Sequence, residues 1–210
     1  MKKLEKIKDK KLKILAAGDF QGNPLVAESL SKKAERENID LVILAGDIHG
    51  VRPAQNLISP FKKRNQKIIF VPGNWDTTTE SNLIRDIYKI NNIDGTYASY
   101  DGIDIIGIGC SDFRLNIDNQ KTLDKLIKNF DKLKHKNSKK ILVSHLHAEG
   151  TLAEFSGVRG SRVLRKVIDY FQPDICISSH IHEAEGLEQK IGKTRIIQVG
   201  KKGKIIEIEK

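Results

Sequence analysis

Asp19, Asp47, Asn74, His145, His180 and His182 are the side chains of this sequence whose types and spacing best suit chemistry. They lie in five short polar signatures: Asp19-Phe20-Gln21, Gly46-Asp47, Gly73-Asn74-Trp75-Asp76, His145-Leu146-His147 and His180-Ile181-His182. Carboxylate and amide oxygens mixed with imidazole nitrogens suit hard and borderline divalent cations. One signature alone carries little, since Gly-Asp after an apolar run is commonly just a turn. The coincidence of five carries the signal, because each stands just after an apolar run.

Those runs are Leu12–Ala17, Leu41–Ala45, Ile68–Val71, 141–144 and 174–178. Short apolar runs bounded by Gly, Asp or Asn read as buried strands. If the strands share one sheet system, their C-terminal ends converge and bring the polar groups to one point, a scaffold for two metal ions. Between them the pattern predicts helices over 24–38, with Pro24 at the start, 53–65 interrupted at Pro60, 79–90, 122–133 and 161–171. Asp101-Gly102 between β-rich runs at 96–100 and 103–109 predicts a hairpin. The segments 185–190, 195–199 and 204–209 read as an antiparallel meander. Alternating β and α segments with antiparallel insertions imply mixed sheets covered by helices. Residues 1–11 read as a basic, poorly ordered extension before a single domain at 12–210.

The net charge of +10 is concentrated at the ends: residues 1–13 and 189–210 each carry +5, and the 175 residues between them are neutral. Such a distribution argues against a nucleic-acid surface running across the protein. The ends could still gather into one patch. No apolar stretch approaches the ~18 residues of a membrane span. Cys110 and Cys176, both in apolar runs, read as buried reduced thiols, which with no signal peptide points to the cytoplasm.

The order of the signatures resembles the calcineurin-like metallophosphoesterase superfamily. Val158-Arg159-Gly160-Ser161, Gln172-Pro173-Asp174, His180-Ile181-His182-Glu183, 191–194 and Val199-Gly200 make it similar to the small Icc-related phosphoesterases. The resemblance implies a four-layer α/β/β/α sandwich of two mixed β-sheets flanked by helices. It implies that Asp47 bridges two divalent ions, one also held by Asp19, position 21 and His182, the other by Asn74, His145 and His180. Manganese, iron, nickel or zinc could fill such sites. The implied chemistry is hydrolysis of a phosphate ester by a hydroxide bridging the metals.

Two positions depart from the pattern. Gln21 stands where His is usual, and an amide oxygen is a poorer ligand than imidazole for transition metals. It could ligate weakly, hold a water, or leave that site vacant. Trp75 stands where larger relatives place an acidic His, and indole cannot protonate a leaving group. Trp75 could stack on substrate or merely close the site. Asp76 could orient a ligand or cap a helix. His147 could be a general acid or a solvent-facing loop residue; His49 has the same ambiguity. Arg159 could reach a substrate phosphate, and Glu183 could bond a ligand histidine. Ser179 should simply be tolerated, and His135 reads as solvated or structural.

The expectation is a phosphoesterase acting on a small phosphodiester or phosphomonoester, with catalytic candidates Asp76, His147 and Arg159. Its rivals are a nuclease or RNA-end phosphatase steered by the basic ends, and a non-catalytic protein-binding scaffold. The sequence leaves oligomeric state open.

Overall fold

Strands β1 (Leu12–Ala17), β2 (Leu41–Ala45) and β3 (Ile68–Val71) are buried along nearly their whole length. Strands covered on both faces need apolar residues at every position, which is why these runs do not alternate. In the computed structural model, which describes residues 11–51, 55–133 and 137–209, they form a parallel sheet. The short β4 (Asn91–Asn92) extends it at one edge and β11 (Lys204–Ile208) pairs antiparallel with β1 at the other. A second sheet has the order β5 (Tyr97–Tyr100), β6 (Ile103–Ile108), β7 (Lys139–Ser144), β8 (Ile175–Ser178), β10 (Thr194–Gln198), β9 (Glu188–Ile191). Its four inner strands are parallel and its two edges antiparallel.

Alternate residues of each strand point to opposite faces, and this sorts the core into three layers. Ile14, Ile43, Val71, Ile105, Val143 and Ile177 pack between the sheets. Leu15, Leu44 and Phe70 face outward against α1 (Pro24–Arg36), α2 (Ser59–Lys63) and α3 (Thr78–Tyr88). Ile106, Leu142 and Cys176 face α4 (Gln120–Leu133) and α5 (Arg162–Phe171). Phe130 of α4 stacks on Phe171 of α5 with centroids 4.6 Å apart. The result is the four-layer sandwich. Cys110 and Cys176 are buried free thiols, and burial pushes Cys176 up to about 12. No helix among the described residues is long and apolar enough to cross a membrane.

Local signals set the helix ends. Asn23 caps α1 with Pro24 behind it, Thr77 and Glu80 form a capping box on α3, and Ser161 caps α5. The Asp101-Gly102 turn joins β5 to β6 with φ of 46° and 88°, as a tight hairpin with right-twisted strands requires.

Two expectations change. The helix expected over 53–65 is a single turn and a half at Ser59–Lys63, because Pro60 suits a helix start rather than its interior; residues 53 and 54 lie outside the described residues. The tail is not one meander. β9 and β10 form a hairpin in the second sheet, and β11 crosses to the first, where Ile206 and Ile208 enter the core between the sheets. His135 and residues 1–10 of the basic extension lie outside the described residues. The β1–β11 pairing does bring the described ends together, with a Lys11–Glu207 ion pair at 3.4 Å.

Candidate metal centre

The carboxyl ends of β1, β2, β3, β7 and β8 deliver the polar signatures to one edge of the sandwich. Beyond β1 and β2, Asp19 donates its N–H to the Gly46 carbonyl at 3.0 Å and Gln21 to the Asp47 carbonyl at 2.9 Å. The two loops therefore run side by side. Asp19 and Asp47 have φ of 57° and 52°, and His180 has 72°. Left-handed backbone at non-glycine residues costs about 1–3 kcal/mol each and concentrates at functional sites. Gly46 and Gly73 are required by close approach. A Cβ on Gly46 would stand 2.6 Å from His145 Nδ1, and one on Gly73 would overlap Asp47 Oδ1.

His145 is fully buried. Its Nδ1 lies 2.9 Å from both the Ala45 carbonyl and Ser179 Oγ. Since a carbonyl only accepts, Nδ1 carries the proton and Nε2 presents a lone pair to the site. That Nε2 is 3.0 Å from Asn74 Oδ1, 3.2 Å from His180 Nδ1 and 3.5 Å from Asp47 Oδ1. Asp47, Asn74, His145 and His180 thus form one tight half of the cluster. The other half is looser. His182 Nε2 is 3.9 Å from Asp19 Oδ1, and Gln21 Nε2 is 3.1 Å from His182 Nε2. The two histidines do not share a face of an extended segment. The left-handed turn at His180 and the 3₁₀ turn His182–Ala184 send them to opposite halves.

Asp19, Asp47 and His145 present donor atoms that all lie within 4.8 Å of one another. Asp19 and Asp47 are 1% and 2% exposed, and Asp19 Oδ2 has no hydrogen-bond partner among the described residues. Burial raises Asp19 to about 8, with the Asp47 charge adding to it. Burial likewise raises Asp47 to about 7, helped by Asp76 against the Trp75 N–H that it accepts. Burial lowers His145 and His180 to about 4. Desolvated carboxyl groups that burial biases toward the protonated form, beside neutral imidazole lone pairs, are the donor set a divalent cation satisfies by replacing the protons. The residues fit the metals that the resemblance implies.

Asp76 does not cap a helix; Thr77 does. Its buried carboxylate accepts from the backbone N–H of Ile48, His49 and Gly73 at 3.2, 2.7 and 2.8 Å, and from His49 Nδ1 at 2.9 Å. It ties the Asp47 loop to the Asn74 loop from below. Burial opposes a charge on His49, but the bond to Asp76 together with the charges of Asp76 and Glu80 outweighs it and holds that imidazole above its ordinary value.

His147 is 2% exposed rather than solvent-facing. The segment before α5 closes over it, with the Ser161 N–H donating to the His147 carbonyl at 2.8 Å. Its Nε2–H donates to the Val158 carbonyl at 3.1 Å, and its Nδ1 has no partner among the described residues. Burial lowers its pKa, so near neutrality it is an acceptor, not the proton donor expected of a general acid. His147, His180, Arg159 and Arg162 line a cavity of about 300 Å³ beside the cluster. Arg159 is exposed there and paired with Glu149 at 2.5 Å. Trp75 meets Phe113 edge-on at 5.6 Å. Glu183 is exposed and makes no hydrogen bond to a candidate ligand among the described residues.

Three participants were missed in the sequence. Ser179 holds His145, and Gln198 holds Ser179 by donating to its carbonyl. Lys201 donates to Gln21 Oε1 at 3.0 Å. Only Ser179, next to the His pair, carried a positional signal.

The family model for calcineurin-like phosphoesterases matches residues 12–184. No curated protein matches the chain. Among solved structures, protein TT1561 of Thermus thermophilus is similar at 16% identity, over 91% of this chain and 90% of that one, with a TM-score of 0.69. An archaeal phosphodiesterase is similar at 18% identity over 94% and 99%, with a TM-score of 0.56. A dimetal phosphatase from Danio rerio is similar at 13% identity over 90% and 88%, with a TM-score of 0.61. At these identities the likeness is one of fold.

Proposed function

The chain belongs to the calcineurin-like phosphoesterase family, and on that premise we propose that its strand-end cluster hydrolyses a small phosphodiester or phosphomonoester with two divalent ions as cofactors. The observation that carries this reading is the buried convergence of Asp19, Asp47 and His145 around an unpartnered carboxylate oxygen. Asp47, with Asn74, His145 and His180, would hold one ion; Asp19 and His182, with Asp47, would hold the other, beside Gln21. Bound there, the ions supply Lewis-acid polarisation of phosphoryl oxygens and a water acidic enough to ionise near neutrality.

The chain's own residues position the rest. His145 is held by Ala45 and Ser179 with its lone pair toward the cluster. Asp76 keeps the Asp47 and Asn74 loops in register, which makes it a positioning residue. Arg159 exchanges Glu149 for a non-reacting phosphate oxygen, since a guanidinium fork matches either. Trp75 and Phe113 offer an apolar wall to the leaving group, and the cavity of about 300 Å³ matches a small organic group.

A nucleic-acid substrate is not favoured. Lys11 stands at the start of β1, six residues from the site end of that strand, which at about 3.3 Å per residue is about 20 Å and beyond a Debye length of about 8 Å, while Lys201 of the basic C-terminal stretch is engaged with Gln21. Hydrolysis of an aryl phosphodiester and an aryl phosphomonoester, after chelation and after adding manganese, tests the proposal. Manganese-dependent cleavage that Asp47→Ala abolishes is expected. Cleavage indifferent to chelator and to Asp47→Ala would sink it, while a steep fall with salt would favour the nucleic-acid rival.

A further inference from the structure

The two halves of the cluster differ in a way that the proposed metal-dependent reading does not by itself require. In the Asn74 half, His145 Nε2, His180 Nδ1 and Asn74 Oδ1 lie within 3.0–3.2 Å of their neighbours. All three atoms can present lone pairs, and among the described residues no cationic side chain hydrogen-bonds to any of them. In the Asp19 half, the group aimed at His182 Nε2 is the amide nitrogen of Gln21, at 3.1 Å. An amide nitrogen has no lone pair for a metal, and its N–H occupies the lone pair of His182.

Lys201 selects that orientation. Its ammonium donates to Gln21 Oε1 at 3.0 Å. Turning the amide over would aim the oxygen at the site, but would set NH₂ against an ammonium that can only donate. The lysine is placed by its turn: the Gly200 carbonyl accepts from the Gly18 N–H at 3.2 Å, and the Lys202 N–H donates to Glu185 Oε1 at 2.6 Å. An ammonium held on Gln21 at the rim of the Asp19–His182 half repels a dication that arrives there.

We propose that the site is unequal by construction: the Asp47–Asn74–His145–His180 half binds one divalent ion tightly, while Lys201, holding the Gln21 amide oxygen away from the Asp19–His182 half and its N–H toward His182, makes that half a weak, readily vacated site. The weak ion then exchanges with the medium, and Lys201 rather than a protein ligand sets how often it is present.

Calorimetric titration of the metal-free chain with Mn²⁺, with equilibrium dialysis for stoichiometry, tests this without reference to activity. The expected result is one tight ion per chain and a second held at least about 100-fold more weakly. Lys201→Met and Gln21→His should each tighten the second ion by about tenfold or more, the first by removing repulsion, the second by supplying imidazole. Asn74→Ala should remove the tight ion. Two ions of equal affinity in the native chain, no tightening in either variant, or a tight ion that survives Asn74→Ala each overturn the proposal while leaving metal-dependent hydrolysis standing. No Mn²⁺ bound at any concentration overturns both.

Discussion

Stripping the metal should make the protein lose stability as pH rises from about 6.5 to about 8. Asp19 and Asp47 ordinarily ionise near 3.8 but are held to about 8 and about 7 in the fold. Above pH 3.8 the folded chain therefore keeps protons that the unfolded chain has released, and stability falls with pH until each folded value is passed. His145 and His180 act in the opposite sense. Their folded values of about 4 lie below the ordinary 6.5, so the unfolded chain holds more protons between those limits and stability rises with pH there. Between pH 4 and 6.5 the two carboxylates and two imidazoles largely cancel. Above 6.5 the carboxylates remain, Asp47 up to about 7 and Asp19 up to about 8, and His49, held above its ordinary value, adds to the decline in the same sense. Together these intervals span about two pH units, and at 1.36 kcal/mol per unit that is about 3 kcal/mol. Water entering the site can only reduce that figure. For a chain of 210 residues it corresponds to roughly 6–12 °C in Tm. Denaturation with chelator present at half-unit steps from pH 5 to 8.5 measures it. Excess manganese should abolish the decline, since the ion takes the place of the protons. Asp19→Asn should shrink it to under about 1 kcal/mol and end it near pH 7. Metal-free protein that gains stability over this interval, or a decline unaltered in Asp19→Asn, would refute the idea that these carboxylates are buried against a missing cation.

Ser179→Ala removes one of two contacts on His145 Nδ1; tight manganese affinity should drop about tenfold, as outer partners of ligand histidines typically count for 10–100-fold, read by calorimetry. Asp76→Ala leaves the N–H groups of Ile48, His49 and Gly73 without their acceptor; urea denaturation should show a loss of about 3–5 kcal/mol, together with weaker metal binding. Arg159→Ala should raise KM for a phosphate ester about tenfold while changing kcat little, because this exposed guanidinium contacts non-reacting oxygen; an equal fall in kcat would place it at the reacting atoms instead.

Much of the site was legible before the fold. Each of the five strands that carry the site, β1, β2, β3, β7 and β8, is largely apolar and ends at a polar signature, and a sandwich buried on both sheet faces needs that pattern. Helix starts and turns were also readable, as at Pro24 and Asp101-Gly102, because they are decided within a few residues; caps were not, since Thr77 rather than Asp76 caps α3. His147 was harder. Whether it is solvated depends on 157–161, which folds across it from eleven residues away at Val158.

The residue pattern by itself determined which groups stand at strand ends and which faces are buried, since a period of two and a polar stop are properties of a single segment. Tertiary structure alone decided what those segments meet. β11 could have extended the tail hairpin, yet it joins β1 because Ile206 and Ile208 complete the layer between the sheets. Lys201 reaches Gln21 across 180 positions of chain, and His180 and His182 part company through one left-handed residue. Pairings of that range depend on loop closure and packing of the whole sandwich, which no local window of residues encodes.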